Sequence, residues 1–309
     1  MTSETTTSTD SMSGVTSLSK TLAVAIGLLD GDTTISSSSP APTNTDEQQD
    51  RSKNQTPIEK SIDILTKLQT QISRAGILSK NDVLDDVATS SLELIGVEYH
   101  LGRAFLMLPT YQLGGNNNNN NNNGSSPSIL RKTNITRATD YFHAYLKKVD
   151  QLDLLNEATI KEYHTLLDME DADNDDKSRS TTTTTRMNPS QIREMKIQRF
   201  QRKRAASQKQ SQLQSLLQRR SRLGLAQEEE MEGHDFESLS RTLYIETLRL
   251  YAEECLEEIQ SCHSELEMLE MAIQMERGRM ISQDPRMHST NHHPNHSGSG
   301  DGGAAGLSS

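Results

Sequence analysis

The chain has 309 residues, a net charge of −11 at neutral pH, 32% hydrophobic residues, 4% aromatic residues and no tryptophan. A hydrophobic content this low excludes a chain that is packed along its whole length, and long polar tracts account for the deficit. No apolar run is long enough to cross a bilayer, so no transmembrane segment is expected. Without the polar tracts about 200 residues remain, which suffice for one hydrophobic core and a single domain.

The N-terminal region contains one short amphipathic segment. Residues 1–14 are rich in serine and threonine, and we expect them to be disordered. A helix is predicted over Val15–Leu29, because apolar residues recur there at helical spacing. This stretch lacks the basic start and the cleavage site of a signal peptide, which favours a cytosolic chain. Residues 31–55 are polar and are predicted to be a disordered insert.

Two helices are predicted next. Thr56-Pro57-Ile58-Glu59 has the pattern of a capping box with proline at the first helical position, so a helix begins at Pro57. Its apolar residues continue to Ile72. Another helix is predicted from just after Asn81 to Leu108; it is apolar nearly all round, which is typical of the middle of a bundle.

Two polar inserts interrupt the next predicted helices. The asparagine run within residues 114–128 is a low-complexity insert, expected to be a disordered loop. A core-facing helix is predicted over Ile135–Leu152, and a further one over Leu154–Leu167. Residues 169–187 are acidic and then threonine-rich, and they are predicted to be a solvated linker without the spacing of a calcium loop.

A basic helix is predicted from Pro189 to Leu223, with Asn188 as N-cap, Gln191 completing the cap and Gly224 as the stop. Between Gln191 and Leu223 one acid, Glu194, stands against ten basic residues: Arg193, Lys196, Arg199, Arg202, Lys203, Arg204, Lys209, Arg219, Arg220 and Arg222. In a chain of net negative charge, such a local excess indicates a surface that meets an acidic partner.

Four residues at the start of this helix are predicted to share one face. Arg193, Lys196, Phe200 and Lys203 follow a 3-4-3 spacing, and few apolar residues nearby could turn that face into the core. Three interpretations are open at this point. The face is simply solvated, it tracks the phosphates of a nucleic acid, or it docks an acidic protein.

The last predicted helix has a regular apolar face from Leu248 to Ile273, suited to antiparallel packing within the molecule. Cys255 and Cys262 lie about 10 Å apart along this helix, too far to bridge, and are predicted to be buried and reduced. Residues 278–309 form a His/Gly/Ser tail that we expect to be disordered; its histidines have no scaffold that would fix a metal site.

The whole pattern predicts an all-α protein, an antiparallel helical stack over residues 15–277 with disordered inserts and tail. No strand pattern occurs. The sequence also has no phosphate-binding loop, nucleophile elbow or Cys/His metal spacing. We therefore expect no enzyme activity, no cofactor and no bound metal.

Four segments together resemble the alpha-4 family, which includes the two-A phosphatase-associated protein of yeast. They are Asp85–Phe105, Arg137–Leu155, Arg193–Arg204 and Arg241–Glu270. The resemblance covers about Pro57–Met275 and implies a tetratricopeptide-like helical fold. The family's phosphatase contact is an R-x-x-K pair beginning a helix that reads K-I-x-R-[FY]; here Arg193 and Lys196 match the pair and Phe200 the aromatic position.

The resemblance implies a regulator that binds catalytic subunits of type 2A and related serine/threonine phosphatases, alters their activity and stability, and takes part in TOR signalling. From the residues themselves we expect no nucleic-acid partner and no membrane partner, and we expect the protein on its own to be a monomer. Family members also carry a further C-terminal region for other partners; after Met287 this chain continues into His, Gly and Ser instead. The alternatives are a nucleic-acid-binding helical protein using the basic helix, and a coiled-coil scaffold joined through the 248–273 face.

Overall fold

The computed structural model describes residues 9–31, 55–79, 82–110, 126–175, 188–223 and 232–282, which form helices and no strand. The α-helices are α1 (Thr9–Asp30), α2 (Pro57–Ala75), α3 (Thr89–Leu92), α4 (Val97–Met107), α5 (Pro127–Gln151), α6 (Glu157–Asp175), α7 (Pro189–Leu223) and α8 (Glu232–Ser282). Short 3-10 turns occupy Leu84–Asp86 and Glu93–Gly96. The predicted all-α class is confirmed.

Helix ends follow local signals in the sequence. α2 begins at the predicted capping box: the Glu59 amide donates to Thr56 Oγ1 at 3.3 Å, and the Thr56 amide donates to the Glu59 carboxylate at 2.7 Å. Gly76, at φ +61°, ends the helix in the left-handed conformation that glycine tolerates best. α1 begins at Thr9, six residues before the predicted start.

Helix bounds differ from the sequence interpretation at several places. α5 begins at Pro127, inside the predicted insert 114–128, and α8 ends at Ser282, inside the predicted tail 278–309. α6 continues to Asp175, into the range assigned to a linker, since methionine, glutamate and alanine there are good helix formers. The single helix predicted after Asn81 is broken before α3 by extended backbone at Val87. The Arg241 guanidinium of α8 donates to Val87 O at 2.7 Å and to Leu84 O at 2.5 Å. A long-range partner thus satisfies carbonyls that a continuous helix would have satisfied itself.

The core lies between α4, α5 and α8, with α1 and α2 packed against α4. α5 and α8 run antiparallel: Arg131 binds Glu265 at 2.6 Å near one end, and the Tyr145 hydroxyl donates to Leu248 O at 2.7 Å near the other. Gly102 lets the Phe142 ring approach the backbone of α4 closely. The stack therefore runs α1, α2, α4, α5, α8 and α7.

The apolar face of α8 packs within the molecule. Leu248, Ala252, Cys255 and Ile259 are buried in the core cluster, and Cys262 is also buried. Both cysteines are free, as the spacing predicts. Because this part of the face is covered by α5, it is not available as the joint of a scaffold. Farther along α8, Met268, Met271 and Met275 are exposed.

Candidate protein-binding face

α7 begins and ends where the sequence predicts, at Pro189 and Leu223. Asn188 Oδ1 accepts a hydrogen bond from the Ser190 amide at 3.2 Å, and the Asn188 amide donates to Gln191 Oε1 at the same distance. These bonds satisfy amides that the first turn of a helix leaves without partners. The cap determines where α7 begins. It therefore places Arg193 and Lys196, the first cations of the helix, close to its N-terminus.

One side of α7, its inner face, forms ion pairs with α6 and α8. Arg199 is the only described residue of α7 that is buried, at 5% exposure. Its Nε donates to Glu162 Oε1 at 2.9 Å. Arg202 binds Glu162 Oε2 at 2.5 Å and Glu253 Oε1 at 2.9 Å. Much of the acidic surface that the basic helix was predicted to meet therefore belongs to the same chain.

Lys203 is not brought to the predicted binding face. Its Nζ lies 2.7 Å from Glu257 Oε2 and 3.6 Å from Glu254 Oε1, both on α8. Burial lowers the pKa of Lys203, but the hydrogen bond to Glu257 and the charges of both carboxylates outweigh that effect, and its pKa is raised overall. The reason is angular: four residues after Arg199, Lys203 lies about 40° from it around the helix and thus closer to α8 than to solvent.

The opposite side, the outer face of α7, does carry the other three predicted residues. Its members line one shallow groove: Pro189, Ile192, Arg193, Lys196, Ile197, Phe200, Gln201 and Arg204. Arg193 and Lys196 are exposed, and Phe200 is 65% exposed. Arg204 takes the place expected for Lys203. All these residues belong to one helix, so the groove is a surface and not an enclosed cavity.

The chemistry of the outer face suits a macromolecule better than a small ligand. Small-molecule sites are concave and bury most of the ligand, which a single helix cannot do. Here a guanidinium and an ammonium lie one turn apart beside two exposed apolar side chains, Ile197 and Phe200. Guanidinium groups bind carboxylates in bidentate fashion, and exposed aromatic residues act as anchors in protein interfaces.

Sequence reasoning missed the carboxylates that hold the inner face. Glu162 and Glu253 are buried, at 5% and 3% exposure, yet each accepts charged hydrogen bonds from α7. A signal was present on the α7 side, because helical spacing places Arg199 and Arg202 away from Arg193. No comparable signal marks Glu162 or Glu253, since both helices carry many other acids.

Within the described ranges, no group of three or more His, Cys, Asp or Glu side chains could hold a metal ion. The histidines predicted to lack a scaffold, in the tail, lie outside those ranges. Over the same part of the chain, no helix is both long enough and apolar enough to cross a membrane.

Comparisons with known proteins agree with this architecture. The model of the TAP42-like family matches residues 36–306. A solved structure described as the Tap42 alpha4 subunit aligns with 82% of this chain and 97% of its own, at 20% identity and a TM-score of 0.53, which shows a shared fold. A search among curated proteins finds no match.

Proposed function

The chain belongs to the TAP42-like family, and from this premise we propose that it is a non-catalytic regulator that binds catalytic subunits of type 2A and related serine/threonine phosphatases. Binding modulates the activity and stability of the catalytic subunit. The regulator acts in TOR signalling, in the cytosol and as a monomer until it meets the phosphatase. A cytosolic location accords with two cysteines that are free and buried.

The observation that carries the proposal is the outer face of α7. Arg193 and Lys196 are exposed one turn apart and can reach carboxylates of an acidic partner. Phe200 lies one turn further along the same face, where it can enter an apolar recess of that partner. Lys203 keeps its contacts with α8 and supports the face from its edge.

The inner face argues against a nucleic-acid partner. A phosphate track needs a continuous row of available cations. Arg199, Arg202, Lys203 and Lys209 already bind carboxylates of α6 and α8. The cations of the outer face that remain, around an exposed phenyl ring, fit a protein surface better.

The test is charge reversal on the outer face. We expect Arg193→Glu with Lys196→Glu to keep the helical circular dichroism spectrum, because exposed charge changes alter stability by less than about 0.5 kcal/mol each. Its affinity for a purified type 2A catalytic subunit should fall by about 2–5 kcal/mol. Isothermal titration calorimetry measures the affinity directly.

The matched control lies on the same helix. Arg219→Glu with Arg222→Glu makes an equal change of charge at two exposed positions, and it should bind like the wild type. The proposal fails if the first variant is folded and binds at wild-type strength. It also fails if the wild type ignores the phosphatase and binds RNA with a steep dependence on salt.

A further inference from the structure

α7 differs from the other long helices of the described chain in how it is held. None of its described apolar side chains is buried; Met195, Ala206 and Leu213 on its inner side are only partly covered. An amphipathic helix normally has its rotation set by an apolar stripe that faces the core. The orientation of α7 must therefore depend on its ion pairs with α6 and α8.

Glu162 of α6 binds Arg199 and Arg202, whereas Lys203 and Lys209 bind separately to carboxylates of α8. Both carboxylate oxygens of Glu162 are used: Oε1 accepts from Arg199 and Oε2 accepts from Arg202. Arg202 Nε also donates to Glu253 Oε1 of α8 at 2.9 Å. The same oxygen accepts a hydrogen bond from the Thr159 hydroxyl of α6 at 2.6 Å. Glu162 thus binds two arginines one turn apart on α7, and the same arginines reach α8 through Glu253 and Gln260.

The rotation of α7 decides which residues are exposed. At 100° per residue, Arg193, Lys196 and Phe200 lie about 60–120° around the helix from Arg199, on one side of it. With Arg199 turned towards Glu162, these three side chains project into solvent. If α7 rotated about its axis, Arg193, Lys196 and Phe200 would no longer project into solvent in the same directions.

We propose that Glu162 is a positioning residue for the phosphatase-binding face, which it presents by fixing Arg199 and Arg202 and hence the rotation of α7. The inference rests on the proposed function of that face. Glu162 itself is buried and so is not offered to the phosphatase directly. Its removal acts through α7, because a buried guanidinium that loses its carboxylate is strongly destabilised where it lies.

The first experiment compares Glu162→Gln with the wild type and with Glu270→Gln. Glu270 of α8 serves as the control because its exposed pair with Lys132 joins α8 to α5 and not to α7, and exposed pairs contribute little. We expect Glu162→Gln to weaken binding of a type 2A catalytic subunit by roughly tenfold or more. Backbone amides of 189–204 should exchange hydrogen faster, while those of α4 and α5 keep their protection. The control should match the wild type in both measurements.

A second variant separates positioning from charge and from folding. Glu162→Met with Arg199→Met replaces a buried ion pair by apolar side chains, a change that proteins often tolerate, and leaves Arg202 on Glu253. If Glu162 positions α7, this double variant should stay folded but bind more weakly, with faster exchange over 189–204, because neither Arg199 nor the bond from Arg202 to Glu162 remains. If Glu162→Gln disturbs the whole fold, the double variant alone decides: a folded variant with weakened binding supports the inference, and a folded variant with wild-type affinity overturns it.

The two proposals fail in different ways. A wild-type protein that ignores the phosphatase refutes the proposed function, while hydrogen exchange still tests whether Glu162 fixes α7. Unchanged exchange over 189–204 together with unchanged affinity in Glu162→Gln overturns the positioning role and leaves the proposed function standing.

Discussion

At the scale of single residues, Glu258 on α8 is a carboxylate in an unfavourable place. Burial, followed by the charge of Glu257, raises its pKa, against an opposing effect of Lys203. An acid whose pKa is higher in the folded state destabilises the fold increasingly as the pH rises above its unfolded-state pKa, and the loss is complete above its folded-state pKa. Glu258→Gln should therefore raise the melting temperature at pH 7.5.

The same reasoning fixes the pH dependence of that gain. The ordinary pKa of a glutamate carboxyl group is 4.5. Below that pH the carboxyl group of Glu258 is protonated in both the folded and the unfolded chain, so the higher melting temperature of Glu258→Gln should disappear there. Thermal melts at pH 7.5 and pH 4 measure it, with Glu267→Gln at an exposed site of the same helix as control. An equal gain at both pH values would contradict the assigned cause.

Periodicity predicted Arg193, Lys196 and Phe200 as exposed neighbours, and the structure places them so. The periodicity did not predict that Lys203 contacts α8. Spacing gives the angle between side chains around a helix, but not how much of that helix its neighbour covers. The partners Glu254 and Glu257 lie more than fifty residues away in sequence. Long-range pairs of this kind leave no local pattern.

At the scale of helices, α4 and α5 depend on a glycine. A Cβ atom added to Gly102 would lie 2.4 Å from Cε1 of Phe142. Phe142 is fully buried and cannot move aside without displacing its neighbours. We expect Gly102→Ala to lower the free energy of unfolding by about 1–3 kcal/mol, as overpacking does. Urea denaturation measures the loss.

Gly278 provides the comparison. It also lies within a helix, but nothing lies within 4 Å of a Cβ placed there. Gly278→Ala should leave stability unchanged or raise it by up to about 1 kcal/mol, because alanine is the better helix former. Equal effects of the two substitutions would show that α4 and α5 are not in close contact at Gly102.

The break before α3 shows where helix prediction from sequence stops. The apolar pattern up to Leu108 was correct about burial, since Leu92, Leu94, Ile95 and Leu101 are fully buried. It was wrong about continuity, because Arg241 competes for the carbonyls of Leu84 and Val87. The propensities of the local residues carry no information about that distant guanidinium.

At the scale of the whole molecule, α1 is part of the core although the matched family region begins only at residue 36. Leu22, Ala25 and Leu29 are buried, and the Ser61 hydroxyl of α2 donates to Ala25 O at 2.8 Å. Composition and family resemblance together predicted an all-α stack. The helix predicted over Val15–Leu29 was included in that stack, but its spacing could not show that α2 is the helix it packs against.

Removing residues 1–31 should therefore destabilise the protein. Each buried leucine contributes about 1.5–3 kcal/mol, and α2, against which α1 packs, would also lose the hydrogen bond from Ser61 to Ala25 O. The full-length variant Leu22→Ala with Leu29→Ala should lose a comparable amount, whereas Val24→Ala, at a residue 37% exposed, should not. Differential scanning calorimetry on the three proteins measures this. A truncated chain that melts like the wild type would show that α1 only rests on the surface.

α8 also determines when the molecule can fold. The core side chains of α8, such as Leu248, Ala252 and Ile259, are synthesised about 100 residues after α5 ends at Gln151. At about 5–20 residues per second, the apolar sides of α4 and α5 wait roughly 5–20 seconds for their partner. During each round of translation the nascent chain thus presents an unfinished core to the cell, and a ribosome that stops before Leu248 releases a product that chaperones must hold or proteases remove.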